Sequence, residues 1–537
     1  MALRIRNLTL GLDEPEEALV VRAARRLKLA PDQIETYTPV RRSLDARKGR
    51  EPRFAYDIEV TLAGGPRRER KLASRLRRTD VAVAEEPSSP RLTPGTEPLA
   101  QRPIVVGFGP AGMFAALVLS ELGYRPVVFE RGQDVKLRHA HILRDYYRNG
   151  QFDPESNLLF GEGGAGAYSD GKLYTRVNDP RGRLVLDTFV EFGGDPDILI
   201  DGRPHLGSDK LPGICRRIRQ RIEKVGGEVR FGARVEDFDV SDGVLTAIRV
   251  NGERVAAGPV VLGIGHSARD TIRQAAAAGI AVDAKPFQLG LRIEHPQEAV
   301  NRWQYGAFCE HPKLPPAEYH VIAKHAAGEH GDVFSFCMCP GGMMLPTHES
   351  PGEIATNGAS RSGRNGPFAN SGLVITIDPR EIQDDALAGL AYQEQWERKA
   401  FELTGATYRV PAQRAADFLA GRSSDGRLET SYPLGAAWAD VREIIPDFVG
   451  DALRRALEFL DARMPGFAGP DAILAGPETR ASAPVRIVRD PASRESVSAR
   501  NLYPVGEGAG YAGGIVSAAI DGIKTAETII ARYAPGR

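Results

Sequence analysis

Residues 103–130 read PIVVGFGPAGMFAALVLSELGYRPVVFE. The apolar run Ile104, Val105, Val106 has the composition of a buried parallel strand. It enters Gly107-x-Gly109-x-x-Gly112, and a helical segment follows, with Met113, Ala116 and Leu117 on one face. Pro110 falls in the first turn of that helix, where a missing N–H costs nothing, and Ala111 follows it. A second apolar run, Val127, Val128 and Phe129, ends on Glu130 and Arg131. Strand, glycine turn, helix, strand and acid in this order suit a dinucleotide. Gly107 allows the tight turn, Gly109 lets the backbone approach a pyrophosphate, and Gly112 lets helix and strand pack closely. The helix N-terminus then meets the phosphate charge, and Glu130 is placed to hold ribose hydroxyls.

Working outward, residues 160–172 read FGEGGAGAYSDGK. Gly161, Gly163 and Gly166 spell GxGxxG again, but no amphipathic helix and no strand ending in an acid follow. Gly163 and Gly164 instead suit a loop lying against a flat ring, since glycine permits close backbone approach. An amphipathic helix over 209–225, a strand at 228–231 and a β-meander over 233–255 lead to the apolar run Val260, Val261, Leu262, which enters Gly263 and Gly265. Near the end, a strand at 502–505 runs into Gly506, Glu507 and Gly508. Gly513, Gly514 and Ile515 then open a helix to Tyr533. That helix N-terminus would stabilise negative charge on a reduced ring. The pattern is the two-part Rossmann-type FAD-binding domain, an α/β fold.

Residues 1–86 follow the order strand–helix–strand–strand–helix–strand, the ferredoxin-like α+β order. Residues 87–101 are Pro-rich and polar and read as a linker. The FAD domain is expected over 102–290 and 474–537, with an inserted α+β substrate domain over 291–473. Within the insert, 347–372 is long, polar and glycine-rich, and reads as a lid, a binding loop or disorder. Lys+Arg and Asp+Glu balance at 70 each, so the chain as a whole gives no electrostatic reason to bind nucleic acid or an anionic membrane. Residues 1–86 carry 19 basic against 14 acidic side chains, which arginines on a solvated surface explain. Four cysteines make no disulfide framework, and no secretory signal or long apolar run is present. A cytoplasmic location is the expectation.

The chain resembles the FAD-dependent oxidoreductase superfamily with the glutathione-reductase-type FAD domain. More narrowly it resembles the bacterial and plastid FAD-dependent dehydrogenase family. The resemblance is carried by 107–112 with Glu130, 161–172, RPHLG at 203–207, GHSARD at 265–270, LRIEHP at 291–296, CMCPGG at 337–342, ETRAS at 478–482 and YPVGEGAGYAGGI at 503–515. It implies bound FAD.

Flavin chemistry is hydride or electron transfer, with the protein supplying position and electrostatics. No second nucleotide fold is present for NAD(P)H, which would visit transiently if it is the electron donor. Charged clusters at Arg292, Glu294 and His295, and at Glu478 and Arg480, lie where the chain crosses between the expected domains. Arg292 or Arg480 could hold a substrate carboxylate, and His295 could deliver a proton. Lys172 could approach the ring, and interdomain salt bridges are the bland alternative for all of these. Cys337 and Cys339 read as buried structural residues, and no metal site is expected. The leading expectation is an FAD-dependent oxidoreductase acting on a small or medium organic substrate. The alternative is a flavoprotein whose N-terminal domain recruits RNA or a protein partner.

Overall fold

A computed structural model describes residues 2–76, 78–84, 92–383 and 385–536. The stretch 85–91, where the expected linker begins, lies outside the described residues. The chain divides into two compact units.

The larger unit comprises 92–171, 206–300 and 318–537. Its first sheet has five parallel strands in the order Leu502–Pro504, Val260–Leu262, Ile104–Val106, Val127–Phe129, Glu228–Arg230. Ile104 pairs with Val127 on one side and Val260 on the other. The three central strands are fully buried, which is why they read as unbroken apolar runs. Helices Pro110–Glu121 and Ile515–Arg532 pack so closely that a Cβ on Gly522 would lie 2.0 Å from the Ala111 carbonyl oxygen. The meander Val235–Ser241, Val244–Val250, Glu253–Ala256 turns at Asp242-Gly243 and Asn251-Gly252. All four turn residues have positive φ, the geometry of type I′ hairpins that Asp-Gly and Asn-Gly favour.

The second sheet of this unit has seven strands, in the order Ile322–Ala323, Val333–Cys339, Phe368–Ile377, Phe287–Pro296, Ile473–Glu478, Val410–Arg414, Ala436–Trp438. Phe287–Pro296 straddles position 290 and Ile473–Glu478 straddles position 473, and the two strands pair antiparallel. The stretch 347–372 is not the structureless loop its composition suggests. Thr356–Ala359 forms a hairpin with Met343–Pro346, and Phe368–Ile377 is a central strand. Two of its polar residues, Asn357 and Asn370, bond a buried arginine described below. The described part of the expected linker runs along the last helix. The Gly95 N–H donates to the Ile530 carbonyl at 2.8 Å, and Glu97 pairs with Arg532 at 2.9 Å.

The smaller unit comprises 1–91, 172–205 and 301–317. Strands Leu3–Gly11, Ile34–Asp45, Arg53–Leu62 and Val81–Val83 form a sheet in which the first lies between the third and fourth and the second is at the edge. Helices Ala18–Leu27 and Gly65–Leu76 join them, giving the split βαβ arrangement. Leu3, Ile5, Leu19, Ala23, Leu27, Ile58 and Val60 form its core. Arg42 donates to Asp201 at 2.7 Å and to Asp197 at 2.9 Å, tying the second strand to 197–201.

Candidate functional site

Three glycine turns of the larger unit converge. The first follows Ile104–Val106 and ends at the N-cap Gly109. The second, 161–166, packs on it: the Gly163 N–H donates to the Phe108 carbonyl at 2.9 Å, and a Cβ on Gly164 would stand 2.9 Å from Gly109 Cα. The third follows Leu502–Pro504 and leads to Ile515–Arg532, whose N-cap is Gly514. A Cβ on Gly166 would lie 3.2 Å from Pro110 and 3.4 Å from Ile515, so both helix N-termini meet at this glycine. Gly506 packs on Ala111, and a Cβ on Gly508 would lie 2.4 Å from the Gly265 carbonyl oxygen. Gly513 and Gly514 are exposed, and a Cβ on Gly265 would find nothing within 4 Å. Close backbone contact behind these turns, with open space at Gly265 and exposed backbone at Gly513 and Gly514, is a cradle that fits a pyrophosphate and a flat ring.

Carboxylates and guanidiniums fix the turns. Glu130 is buried, and its carboxylate accepts from the backbone N–H groups of Phe108 at 2.8 Å, Gly132 at 2.9 Å and Gly161 at 2.8 Å. A carboxylate has about four acceptor positions, so room for one ribose hydroxyl remains. Arg131 is held between Glu155, at 2.8 Å, and Asp270, at 2.9 Å, above the Phe160 ring. Arg138, fully buried, donates to the carbonyls of Asn157, Glu162 and Gly164. Asp521 accepts from the Gly506 N–H at 2.8 Å and pairs with Arg489 and Arg494. Glu507 accepts from the Ala483 N–H at 2.9 Å, and Lys285 is 3.9 Å away. Burial raises the Glu507 carboxyl above its ordinary range.

The expected catalytic residues separate. Arg292 and Glu478 form a fully buried pair, with Nε to Oε2 at 2.8 Å and Nη2 to Oε1 at 3.1 Å. Arg292 also donates to Asn370 at 2.7 Å, Asn357 at 3.1 Å and the Cys337 carbonyl at 3.3 Å. Its five N–H groups therefore have five acceptors, and none is left for a substrate carboxylate. His295 is buried, and its Nε2–H donates to the Phe467 carbonyl at 2.8 Å. Burial pushes its pKa down to about 4, so at neutral pH it is the neutral imidazole, whose one proton is bound to Phe467, and not the imidazolium a general acid requires. Glu294 binds the backbone and side chain of Ser431. Lys172 belongs to the smaller unit, where it bridges to His205.

Arg480 lies elsewhere, in a buried cluster with Arg269, Glu349, Glu353 and Glu397. Arg269 donates bidentately to Glu397 at 3.0 Å, to Gln393 at 3.0 Å, and is 3.2 Å from Glu349. Arg480 contacts Glu397 at 2.6 Å and also Glu349, while its Nε and Nη1 have no partner among the described residues. Acceptor atoms of the three glutamates lie within 4.8 Å of one another, and the two guanidiniums supply the positive charge they require. Burial works against ionising Glu397, but Arg269 and Arg480 outweigh it and hold the pKa at about 2. Glu353 is pushed up to about 8 by burial and by the charges of Glu397 and Glu349. Beside the cluster, the His348 ring stacks on Tyr408 and hydrogen-bonds the Tyr146 hydroxyl at 2.9 Å. The cluster borders the glycine cradle: Arg269 begins the helix that follows the Gly265 turn, and His266 lies in the field of Arg480, Arg269 and Glu397.

Sequence reasoning missed Arg138, Arg269, Glu349, Glu353 and Glu397. GHSARD at 265–270 was the one available signal for Arg269, since a charged residue directly after a glycine turn sits beside whatever the turn holds.

The family description "FAD-dependent protein, C-terminal domain-like" matches residues 286–481, the span of the seven-stranded sheet. "Domain of unknown function (DUF8436)" matches residues 2–61. A Clostridium beijerinckii protein described as "Uncharacterized protein" is 41% identical over 536 residues, covering 99% of each chain. L-proline dehydrogenase from P. horikoshii is 12% identical, with 81% of this chain and 94% of that chain covered and a TM-score of 0.36. Glycine oxidase from Geobacillus kaustophilus is 12% identical, with 81% and 96% covered and a TM-score of 0.35. Among the described residues, no helix is long and apolar enough to cross a membrane.

Proposed function

We propose that this chain, which belongs to the family of its Clostridium beijerinckii relative and carries the C-terminal domain of the FAD-dependent proteins, is an FAD-dependent oxidoreductase of a small or medium organic substrate. The observation that carries this reading is the meeting of two helix N-termini and three glycine turns at Gly166. Bound there, FAD supplies acceptance and donation of an electron pair. The first helix N-terminus, at Gly109, Ala111 and Gly112, would hold the pyrophosphate. Glu130 would use its remaining acceptor position for a ribose hydroxyl while its backbone bonds fix the turns at 107–109 and 161–164. The second N-terminus, at Gly513, Gly514 and Ile515, would offer its positive dipole to the ring.

Arg480 is the residue we assign to binding an acceptor group of the substrate or ring, because it alone of the expected arginines keeps buried donors without partners among the described residues. Glu353 holds a proton at neutral pH next to it, which suits a group that gives or takes one during turnover. Arg292 and Glu478 act as a structural pair. Anaerobic mixing with NADH, NADPH and candidate amines, amino acids and hydroxy acids tests the reading. Bleaching of the flavin absorbance by one of them supports it. Flavin that no such donor reduces, but that dithionite does, contradicts the enzymatic part. Arg480→Gln is expected to raise KM or abolish bleaching without loss of bound FAD.

A further inference from the structure

We propose that Cys337 and Cys339 form a reversible dithiol–disulfide pair that reacts with small organic disulfides. On a regular strand two such residues share a face with parallel Cα–Cβ bonds, so their Cβ atoms stand about 6.6 Å apart, two rises of the chain, beyond the roughly 3.5–4.5 Å that a disulfide spans. Val333–Cys339 is not regular here. Its register against Phe368–Ile377 slips between Phe336 and Cys339, and Cys337 takes φ +43°, in the left-handed region that non-glycine residues seldom occupy. The bulge brings the two sulfurs to 4.0 Å, and side-chain rotation covers the remaining distance to a bond.

A buried guanidinium lies beside this pair: Arg292 donates to the Cys337 carbonyl at 3.3 Å, within electrostatic reach of both sulfurs. Gly358 makes the space: a Cβ there would lie 2.8 Å from Cys339 Sγ and 2.6 Å from Arg292 Nη1. Access is asymmetric, with Cys339 fully buried and Cys337 partly exposed. The Cys337 thiolate attacks one sulfur of the small disulfide, forming a mixed disulfide and expelling one thiolate. Cys339 gives its proton to that thiolate and attacks Cys337 Sγ, closing the protein disulfide and expelling the second thiolate, which takes up from solvent the proton that Cys337 gave up. Two protein thiols are oxidised and one small disulfide is reduced to two thiols.

The test is incubation of the native full-length protein with excess glutathione disulfide, followed by alkylation and mass mapping of the peptide containing 337–339. The inference does not rest on flavin binding, and the reading is independent of flavin content. The expected result is a peptide two hydrogens lighter that resists alkylation until reduced. Cys339→Ser is expected to stop at glutathione on Cys337, and Cys337→Ser to keep an alkylatable Cys339 after denaturation. Wild-type protein that remains alkylatable at both positions, or that accumulates the mixed disulfide without closing it, overturns the proposal. Circular dichroism checks the variants, and the wild-type result decides alone if either fails to fold.

Discussion

Arg292 and Arg480 are both buried, yet one has every donor satisfied and the other has donors to offer. The difference has measurable consequences. Arg292→Met leaves Glu478 as an uncompensated buried charge, so unfolding free energy should fall by about 3–5 kcal/mol in denaturant titration. Glu353 sets a pH dependence. Its folded pKa of about 8 lies above its ordinary 4.5, so the folded state binds more protons than the unfolded chain between those values. Its contribution to stability therefore falls as pH rises from 4.5 to 8. Glu397, held at about 2, acts in the opposite sense and only between 4.5 and 2. Buried histidines such as His295 titrate in the opposite sense in both proteins, so the effect is read as a difference: the slope of the denaturation midpoint against pH between 5 and 8 should be more negative in the wild type than in Glu353→Gln. An unchanged slope would contradict the assignment. The sequence singled out Arg292, Glu478 and Arg480, but not the cluster that Arg480 joins. Positions 269, 397 and 480 and the pair 349 and 353 lie on four separate segments, and no local spacing announces a cluster that only tertiary packing assembles.

Local physics governs the elements and made them readable. Apolar triplets at 104–106, 127–129 and 260–262 are the buried parallel strands, and Asp-Gly and Asn-Gly mark the meander's turns. The glycine turns were visible because each must admit another backbone. Gly164→Ala should loosen the cradle, since its φ of +57° costs a side chain about 1–2 kcal/mol and the new Cβ meets Gly109. FAD affinity should fall at least about tenfold with secondary structure intact, as read by fluorescence titration and circular dichroism. The hairpin at 343–359 was hidden by its composition. Thr356, Asn357 and Gly358 look like loop residues, but Asn357 is a ligand of Arg292, Thr356 donates to the Pro477 carbonyl, and Gly358 clears space for Arg292 and Cys339. A polar strand serving a buried charge gives no alternating apolar signal.

At the scale of the whole molecule, the smaller unit is discontinuous. Residues 172–205 and 301–317 join 1–91 through contacts such as Arg42 with Asp201 and Gln304 with the Ala46 carbonyl. Deleting 1–91 should therefore strip both segments of partners, and limited proteolysis should nick within 172–205 and 301–317 first. Protection there equal to the full chain would contradict the division. In the larger unit, FAD in the cradle at Gly166 is read most directly from the absorption spectrum of the purified protein, with mass identification of what denaturation releases. The expected result is a yellow protein with flavin bands that releases stoichiometric FAD. A colourless protein that takes up no FAD on reconstitution would contradict it.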